Sequence, residues 1–181
     1  MKTEERITGH DDIFHGVVFD VKKYYVALPD GTSAFREQVE HHGGACVLAY
    51  EDGFVYLVRQ YRLAMRGETI EVPAGKLSAG EAPEHCAMRE LTEETGLVAK
   101  DLIKIGAISP SPGYTNEIIH IYYAEDFVKS VQQLDEGELI NVMRVPAKKA
   151  FEMVDNGEII DSKTVVALLW LKSRSKPTDL C

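Results

Sequence analysis

Hydrophobic and polar residues alternate with the period of a β-strand in two neighbouring stretches near the middle of the chain. The apolar run ACVLAY at residues 45–50 is followed by the turn sequence Glu51-Asp52-Gly53 and by the alternating run FVYLVRQY. Because successive side chains of a strand point to opposite faces of a sheet, such alternation is typical of a β-strand. The short turn between the two runs predicts an antiparallel hairpin at the centre of the fold.

The region before this hairpin predicts a second, smaller group of strands. Residues 13–28 contain the β-rich runs IFHGVVFDV and KYYVAL, and the turn Pro29-Asp30-Gly31 leads into AFREQVEHH. This antiparallel meander is too short to bury a core of its own, so it must pack on the rest of the chain or on a second copy. We therefore expect residues 1–40 to form an N-terminal extension that packs in a homodimer, and residues 41–181 to form the main domain.

The pattern changes to that of a helix between residues 82 and 95. Pro83 and the neighbouring acidic residues suit a first helical turn, and Gly96 is the residue type that ends a helix. The predicted helix has an apolar stripe for packing against the sheet, formed by Ala87, Met88 and Leu91.

After this helix the pattern returns to strands and then to two further helices. Strand-like runs at residues 102–108 and 117–124 flank SPSPGYTN, whose prolines and glycine exclude regular structure, and LINVMRV is a last strand. Pro146 starts the first of the two helices, and Asp161 or Ser162 caps the second. This order predicts an α+β fold, an αβα sandwich around a mixed β-sheet.

Composition and charge argue against several kinds of partner. The 181 residues carry a net charge of -9 with no block of Lys or Arg, so we expect no nucleic-acid partner. The longest apolar run, residues 165–171, is too short to span a bilayer and no signal peptide is apparent, which predicts a cytoplasmic protein without a membrane partner. Three widely spaced cysteines indicate free thiols in a reducing compartment: Cys46, Cys86 and Cys181.

The predicted helix also places carboxylates beside its apolar stripe. At about 100° per residue, Glu90 and Glu94 lie about 40° apart, with Glu93 on the same side. Like charges four residues apart destabilise an isolated helix by about 0.2–0.5 kcal/mol, so the cluster calls for a cation, and carboxylates suit Mg²⁺ or Mn²⁺. Arg89, one turn before Glu93, is placed to pair with it and hold it. The alternative interpretation is a solvated acidic helix face.

The spacing of residue types around this helix favours the metal site. Residues 75–97 read Gly75, five residues, Glu81, seven residues, Arg89-Glu90-Leu91, one residue, Glu93-Glu94, one residue, Gly96-Leu97. This spacing resembles the Nudix box at every defined position. The resemblance implies a Nudix fold, a Mg²⁺ or Mn²⁺ cofactor, Glu81 as a supporting carboxylate, and Arg89 and Glu94 among the catalytic residues. It also implies four metal ligands, the last through its backbone carbonyl: Glu90, Glu93, Glu94 and Ala74.

Two stretches outside the box resemble the ADP-ribose pyrophosphatases within the Nudix family. Residues 111–117, SPGYTNE, are similar to the SPG-aromatic-Thr-x-Glu signature of these enzymes, with Pro112 16 residues after Gly96. Residues 60–62 and 71–75, QYR and EVPAG, are similar to the stretch before their box. The resemblance implies that Arg62 contacts a substrate phosphate. It also implies four further substrate-binding residues: Glu71, Arg59, Pro112 and Gly113.

A third stretch, Asp135-Glu136-Gly137-Glu138, resembles the acidic loop of the same enzymes. In that loop one glutamate orients or deprotonates the attacking water and another helps to hold the metals. The resemblance therefore implies Glu136 as the base, with Glu138 as the alternative base and a further metal ligand.

The implied activity is Mg²⁺-dependent hydrolysis of the diphosphate of ADP-ribose, or of a related nucleoside diphosphate sugar. The products from ADP-ribose are AMP and ribose 5-phosphate. Two alternatives stay open at this point. One is a Nudix hydrolase of another nucleotide-diphosphate substrate, and the other is a Nudix-fold sensor that binds a ligand without cleaving it.

Overall fold

The computed structural model describes residues 3–134 and 136–175, which form two compact units. The first unit comprises the described residues up to Gly43 together with residues 109–118, and the second comprises the remainder. In chain order the elements are β1 (Arg6–His15), β2 (Asp20–Ala27), β3 (Ser33–Glu40), β4 (Gly44–Glu51), β5 (Phe54–Arg62), β6 (Gly67–Glu71), β7 (Ala74–Lys76), α1 (Pro83–Thr95), β8 (Leu97–Ala99), β9 (Ile103–Ile108), β10 (Ile119–Ala124), β11 (Phe127–Lys129), β12 (Ile140–Pro146), α2 (Ala147–Asp155) and α3 (Ser162–Arg174).

The first unit contains the antiparallel sheet β1-β2-β3, which confirms the predicted meander. The strand boundaries differ from the prediction, because a turn at Gly16 divides the run IFHGVVFDV between β1 and β2. The backbone N–H of Gly16 donates to the carbonyl oxygen of Phe19 at 3.1 Å, and a Cβ at Gly16 would lie 2.7 Å from that oxygen. An apolar run therefore conceals a turn that requires glycine.

The loop at residues 109–118 belongs to this first unit. The N–H of Val39 donates to Tyr114 at 2.7 Å, and the N–H of His41 donates to the side chain of Asn116 at 2.8 Å. These bonds attach the loop that carries Pro112 and Gly113 to the end of β3. The proposed boundary at residue 40 and the packing in a homodimer stay predictions.

The second unit contains a mixed sheet in the order β12-β5-β4-β10-β9, with β6 paired to β5 and β7 paired to β4. Strands β4 and β5 form the predicted central hairpin, and β10 runs parallel to β4. A tight turn at residues 63–66 connects β5 to β6. A 3₁₀ turn at Leu63–Met65 ends in the left-handed residue Arg66, and pairing with β5 then makes Gly67 and Glu68 part of β6.

Alternation along β4 supplies both faces of this sheet. Cys46 and Leu48 join a core with residues of α2 and α3, whereas Ala45, Val47 and Ala49 join a separate core with α1. The arrangement is the αβα sandwich expected from the sequence. The apolar stripe of α1 differs from the prediction in one member, since Met88 is half-buried and the buried apolar residues are Cys86, Ala87 and Leu91.

Helix α1 ends at Gly96 for a specific steric reason. Gly96 has a φ of 70°, and its N–H donates to the carbonyl oxygen of Thr92 at 2.8 Å. A Cβ at this position would lie 2.7 Å from the carbonyl oxygen of Ser130. Both the left-handed conformation and the close approach of another backbone segment therefore require glycine. Among the described helices, none is long and apolar enough to cross a membrane.

Alanine substitutions at Gly96 and Gly80 separate the cost of the left-handed conformation from the cost of the close backbone contact. We expect Gly96→Ala to lower the free energy of unfolding by about 3 kcal/mol, because it adds a steric clash to the left-handed strain of about 1–2 kcal/mol. Gly80→Ala is the matched control, since Gly80 has a φ of 77° but open space around its Cβ position. Urea unfolding of both variants is the measurement. Equal losses for the two would show that the contact with Ser130 is unimportant.

Candidate active site

Helix α1 places three carboxylates at one site with different degrees of burial. The side chains of Glu90 and Glu93 are partly exposed, whereas Glu94 is only 3% exposed. The buried carboxylate of Glu94 accepts a hydrogen bond of 3.0 Å from the backbone N–H of Ala74. The helical spacing of the box thus brings its last glutamate onto the backbone of β7.

The glycine that opens the box lies directly against one of these carboxylates. A Cβ built on Gly75 would lie 1.8 Å from Oε1 and 2.0 Å from Cδ of Glu90. Only a residue without a side chain leaves room for the Glu90 carboxylate on the backbone of β7. The fixed spacing between Gly75 and Glu90 therefore has a steric cause in this structure.

Arg89 holds the outer carboxylates of the site. Its Nη1 donates to Glu90 at 2.6 Å and to Glu93 at 2.9 Å, and its Nε donates to Glu81 at 3.0 Å. The predicted pairing with Glu93 is confirmed, and Glu81 supports the site through Arg89. The hydrogen bond from Arg89, with that from the backbone N–H of Ser78, lowers the pKa of Glu81.

The electrostatics of the site disfavour the charged form of its buried glutamates. Burial raises the pKa of Glu94 to about 8; the N–H of Ala74 opposes this shift, and the charges of Glu90, Glu138 and Glu71 add to it. Burial also raises the pKa of Glu90, against the hydrogen bond from Arg89. A cation placed here would stabilise the ionised carboxylates.

The oxygen donors of the site are of the type that binds a hard divalent ion, although their side chains do not surround a single position. Within residues 3–134 and 136–175, no three acidic, histidine or cysteine side chains are grouped as a ready-made metal site. Arg89 engages Glu90 and Glu93 instead. The available donors are carboxylate oxygens in a partly buried cluster of like charge, with the Glu90 carboxylate resting on Gly75, and this chemistry suits Mg²⁺ or Mn²⁺. Metal ligation by Glu90, Glu93, Glu94 and the carbonyl of Ala74 stays a prediction.

The acidic loop begins on the C-terminal end of α1. The side-chain amide of Gln132 donates to the carbonyl oxygen of Glu94 at 2.6 Å, and the N–H of Gln133 donates to that of Glu93 at 2.9 Å. The charge of Glu138 contributes to the raised pKa values of Glu90 and Glu94. Glu136 is exposed on the adjacent turn, and Asp135 lies outside the described residues.

Arg62 and Glu71 form a two-pronged ion pair near the box. Nε and Nη2 of Arg62 each donate to a different oxygen of Glu71 at 2.8 Å. The Arg62 side chain is 44% exposed, whereas Glu71 is 3% exposed. Burial by itself would raise the pKa of Glu71. Hydrogen bonds from Arg62, Lys163 and Thr69, together with the charge of Lys163, outweigh burial and lower this pKa to about 2. This geometry favours Glu71 as the group that orients Arg62, and a direct contact of Glu71 with substrate stays a prediction.

The remaining predicted substrate residues are spread over both units. Arg59 lies on β5 in the second unit, with its Nη1 3.8 Å from Glu68. Pro112 and Gly113 lie in the first unit, whereas the box, Arg62 and Glu138 all lie in the second. Their roles in substrate binding stay predictions.

Sequence reasoning missed Lys163, the residue of α3 that contacts Glu71. Asp161 caps this helix, accepting from the N–H of Thr164 at 3.0 Å, which resolves the choice between Asp161 and Ser162. Lys163 is 7% exposed and donates to Glu71 at 2.6 Å. A signal was present, since Lys163 lies four residues before the buried Ala167 and thus interrupts an apolar helix face.

The chain is similar to known proteins in sequence and in fold. The sequence model of the NUDIX domain matches residues 40–168. An ADP-ribose pyrophosphatase from Bacillus subtilis is 41% identical and a methanol dehydrogenase activator from Bacillus methanolicus is 36% identical, each over 172 residues and 93% of both chains. A GDP-mannose pyrophosphatase from Citrobacter koseri is 37% identical over 77% of this chain and 78% of that one. A crystal structure of an ADP compounds hydrolase superposes with a TM-score of 0.84 over 98% of this chain and 97% of that one, at 21% identity, which shows a shared fold.

The raised pKa of Glu94 predicts a gain in stability when its charge is removed. Because the folded pKa of about 8 exceeds the ordinary value of 4.5, the native protein loses stability as pH rises from 4.5 towards 8. Glutamine does not titrate, so metal-free Glu94→Gln should be more stable by on the order of 2 kcal/mol at pH 8 and by much less at pH 5.

Urea unfolding in the presence of a chelator at the two pH values measures this difference. Glu93→Gln is the matched control, since that carboxylate is a third exposed and bound by Arg89. An equal effect of the two substitutions at pH 8 would contradict the assignment of Glu94 as a buried, destabilising charge.

Proposed function

The chain belongs to the NUDIX family, and on that premise we propose that it is a pyrophosphohydrolase that cleaves the diphosphate of ADP-ribose or of a related nucleoside diphosphate sugar. The observation that carries the proposal is the placement of the Nudix carboxylates and Arg62 in one unit, with Arg62 held by Glu71 and still 44% exposed. Relatives named ADP-ribose pyrophosphatase and GDP-mannose pyrophosphatase support the substrate class.

Hydrolases of this family generally need a divalent metal ion. Such an ion, when bound, supplies charge neutralisation at the phosphoryl groups and lowers the pKa of a bound water. Glu90, Glu93 and Glu94 would hold it, with Glu138 and the carbonyl of Ala74. We propose Mg²⁺, with Mn²⁺ as the alternative, because every one of these donors is an oxygen.

The chain's own residues have separate parts in the reaction. Arg62 donates two N–H groups to the carboxylate of Glu71. The exposed side of its guanidinium binds a substrate phosphate, as guanidinium groups commonly do. Glu136 removes a proton from the attacking water, and Glu138 is the alternative base. Arg89 keeps Glu90 and Glu93 in position. Hydrolysis of the P–O–P linkage of ADP-ribose gives AMP and ribose 5-phosphate.

Assembly and location are further parts of the proposal. In the first unit, large apolar side chains such as Ile7, Ile13 and Phe14 are more than half exposed, which supports packing against a second copy in a homodimer. Cys46 and Cys86 are buried free thiols, which supports a reducing, cytoplasmic location. The net charge of -9 supports the expectation of no nucleic-acid partner.

A substrate panel tests the reaction. We expect metal-dependent release of AMP and ribose 5-phosphate from ADP-ribose, with slower or no cleavage of NADH, dinucleoside polyphosphates and nucleoside triphosphates. GDP-mannose belongs in the panel as a second nucleotide sugar. Chromatography of the products with Mg²⁺, with Mn²⁺ and with a chelator is the measurement. Cleavage of none of these compounds by protein that binds metal would favour a sensor instead.

Substitutions in the acidic loop test the assignment of the base. Glu136→Gln should lower kcat by about 10²–10⁴-fold with a much smaller change in KM, as expected when a general base is lost. Glu138→Gln is the comparison variant, and it should raise the concentration of Mg²⁺ needed for half-maximal rate. Steady-state kinetics at several Mg²⁺ concentrations separates the two effects. A native rate for Glu136→Gln would transfer the role to Glu138.

A further inference from the structure

The carboxylate that holds Arg62 is itself held from the first turn of α3. Lys163 Nζ donates to Oε2 of Glu71 at 2.6 Å and to Asp161 at 2.9 Å. Lys163 is 7% exposed and Glu71 is 3% exposed, so the contact is almost completely removed from water. A buried charged group is stable only when oppositely charged or hydrogen-bonding partners contact it.

The oxygens of Glu71 are shared among four donors. Oε1 accepts from Nε of Arg62 at 2.8 Å and from the hydroxyl of Thr69 at 2.6 Å. Oε2 accepts from Nη2 of Arg62 at 2.8 Å and from Lys163 at 2.6 Å. An ionised carboxylate has about four lone-pair sites, so these donors saturate it and leave it one orientation. That orientation sets the plane of the Arg62 guanidinium.

The same turn of α3 also binds the backbone next to Glu71. The N–H of Val72 donates to the hydroxyl of Thr164 at 2.8 Å, and that hydroxyl donates to Asp161 at 2.6 Å. Asp161 also contacts Lys163, so one residue connects the side-chain and backbone contacts. The start of α3 therefore fixes both the Glu71 side chain and the strand end that leads to Ala74.

We propose that Lys163 is a positioning residue for substrate binding: it holds Glu71 so that Glu71 presents Arg62 to a substrate phosphate. The proposal rests on the proposed function, because it takes the phosphate contact of Arg62 as given. Without the Lys163 ammonium, Oε2 of Glu71 lacks one of its two donors in a buried place. The carboxylate can then rotate or move toward water, and the two N–H bonds that orient Arg62 move with it.

Steady-state kinetics with ADP-ribose tests this role. Lys163→Met keeps the length of the side chain and removes its charge, and it should lower kcat/KM by about tenfold, mainly through KM. Lys172→Met is the matched control, since Lys172 lies on the same helix and pairs with the exposed Asp155 at 2.9 Å. It should stay within about twofold of the native value.

A double-mutant cycle separates positioning of Arg62 from a general structural effect. If Lys163 acts through Arg62, Lys163→Met should cost less than about twofold in the Arg62→Ala background. The same tenfold loss in both backgrounds, or equal losses for Lys163→Met and Lys172→Met, would overturn the proposal. If Lys163→Met does not fold, Thr69→Val provides the same cycle, with an expected loss of about threefold that disappears in Arg62→Ala.

A readout without turnover distinguishes failure of this inference from failure of the proposed function. In the nitrogen-15 spectrum of the full chain, the Nε–H signal of Arg62, assigned by its loss in Arg62→Ala, should shift and exchange faster with water in Lys163→Met. Lys172→Met should leave it unchanged. If the native protein does not cleave the substrate but Lys163→Met still shows this shift, the proposed substrate is rejected and the positioning of Arg62 is retained. An unchanged Arg62 signal in folded Lys163→Met would reject the positioning itself.

Discussion

The carboxylates on α1 carry like charges at a place where one of them, Glu94, is almost completely removed from water. Burial and neighbouring acids raise the pKa of Glu94 to about 8, so the native fold keeps a group whose ionised form it disfavours. Arg89 and the backbone N–H of Ala74 stabilise the cluster in part. The site thus holds a local excess of negative charge that a divalent cation can neutralise, which is the requirement of the family's chemistry.

The central sheet allows this cluster to be supported from two sides. The segment from Glu71 to Gly75 runs along the sheet, and α1 contacts its end through Glu94 and Glu90. Helix α3 contacts its beginning through Lys163 and Thr164. Because the two helices pack in separate cores on opposite faces of the sheet, each contributes polar contacts without disturbing the apolar packing of the other.

The two arginines of the site are held in opposite ways, which separates their roles. Arg89 donates to three carboxylates, and its charge is used to position them. Arg62 donates to one carboxylate and keeps a large exposed surface. In a protein with a net charge of -9, the overall field repels a diphosphate, and the oriented, exposed guanidinium of Arg62 is a local positive charge that opposes this repulsion.

Local pattern by itself determined the box helix, its cap at Gly96, the pairing of Arg89 with Glu93 and the central hairpin, because all of these depend on residues close together in the chain. The turn at Gly16 and the strand at Gly67 were not predicted, since a backbone contact or a strand partner decides each. Only the tertiary structure decided that Glu94 is buried against Ala74 and that Lys163 meets Glu71 from 92 residues away. The physical reason is that burial and long-range ion pairing depend on how helices pack on the sheet, and no periodicity along the chain encodes that packing.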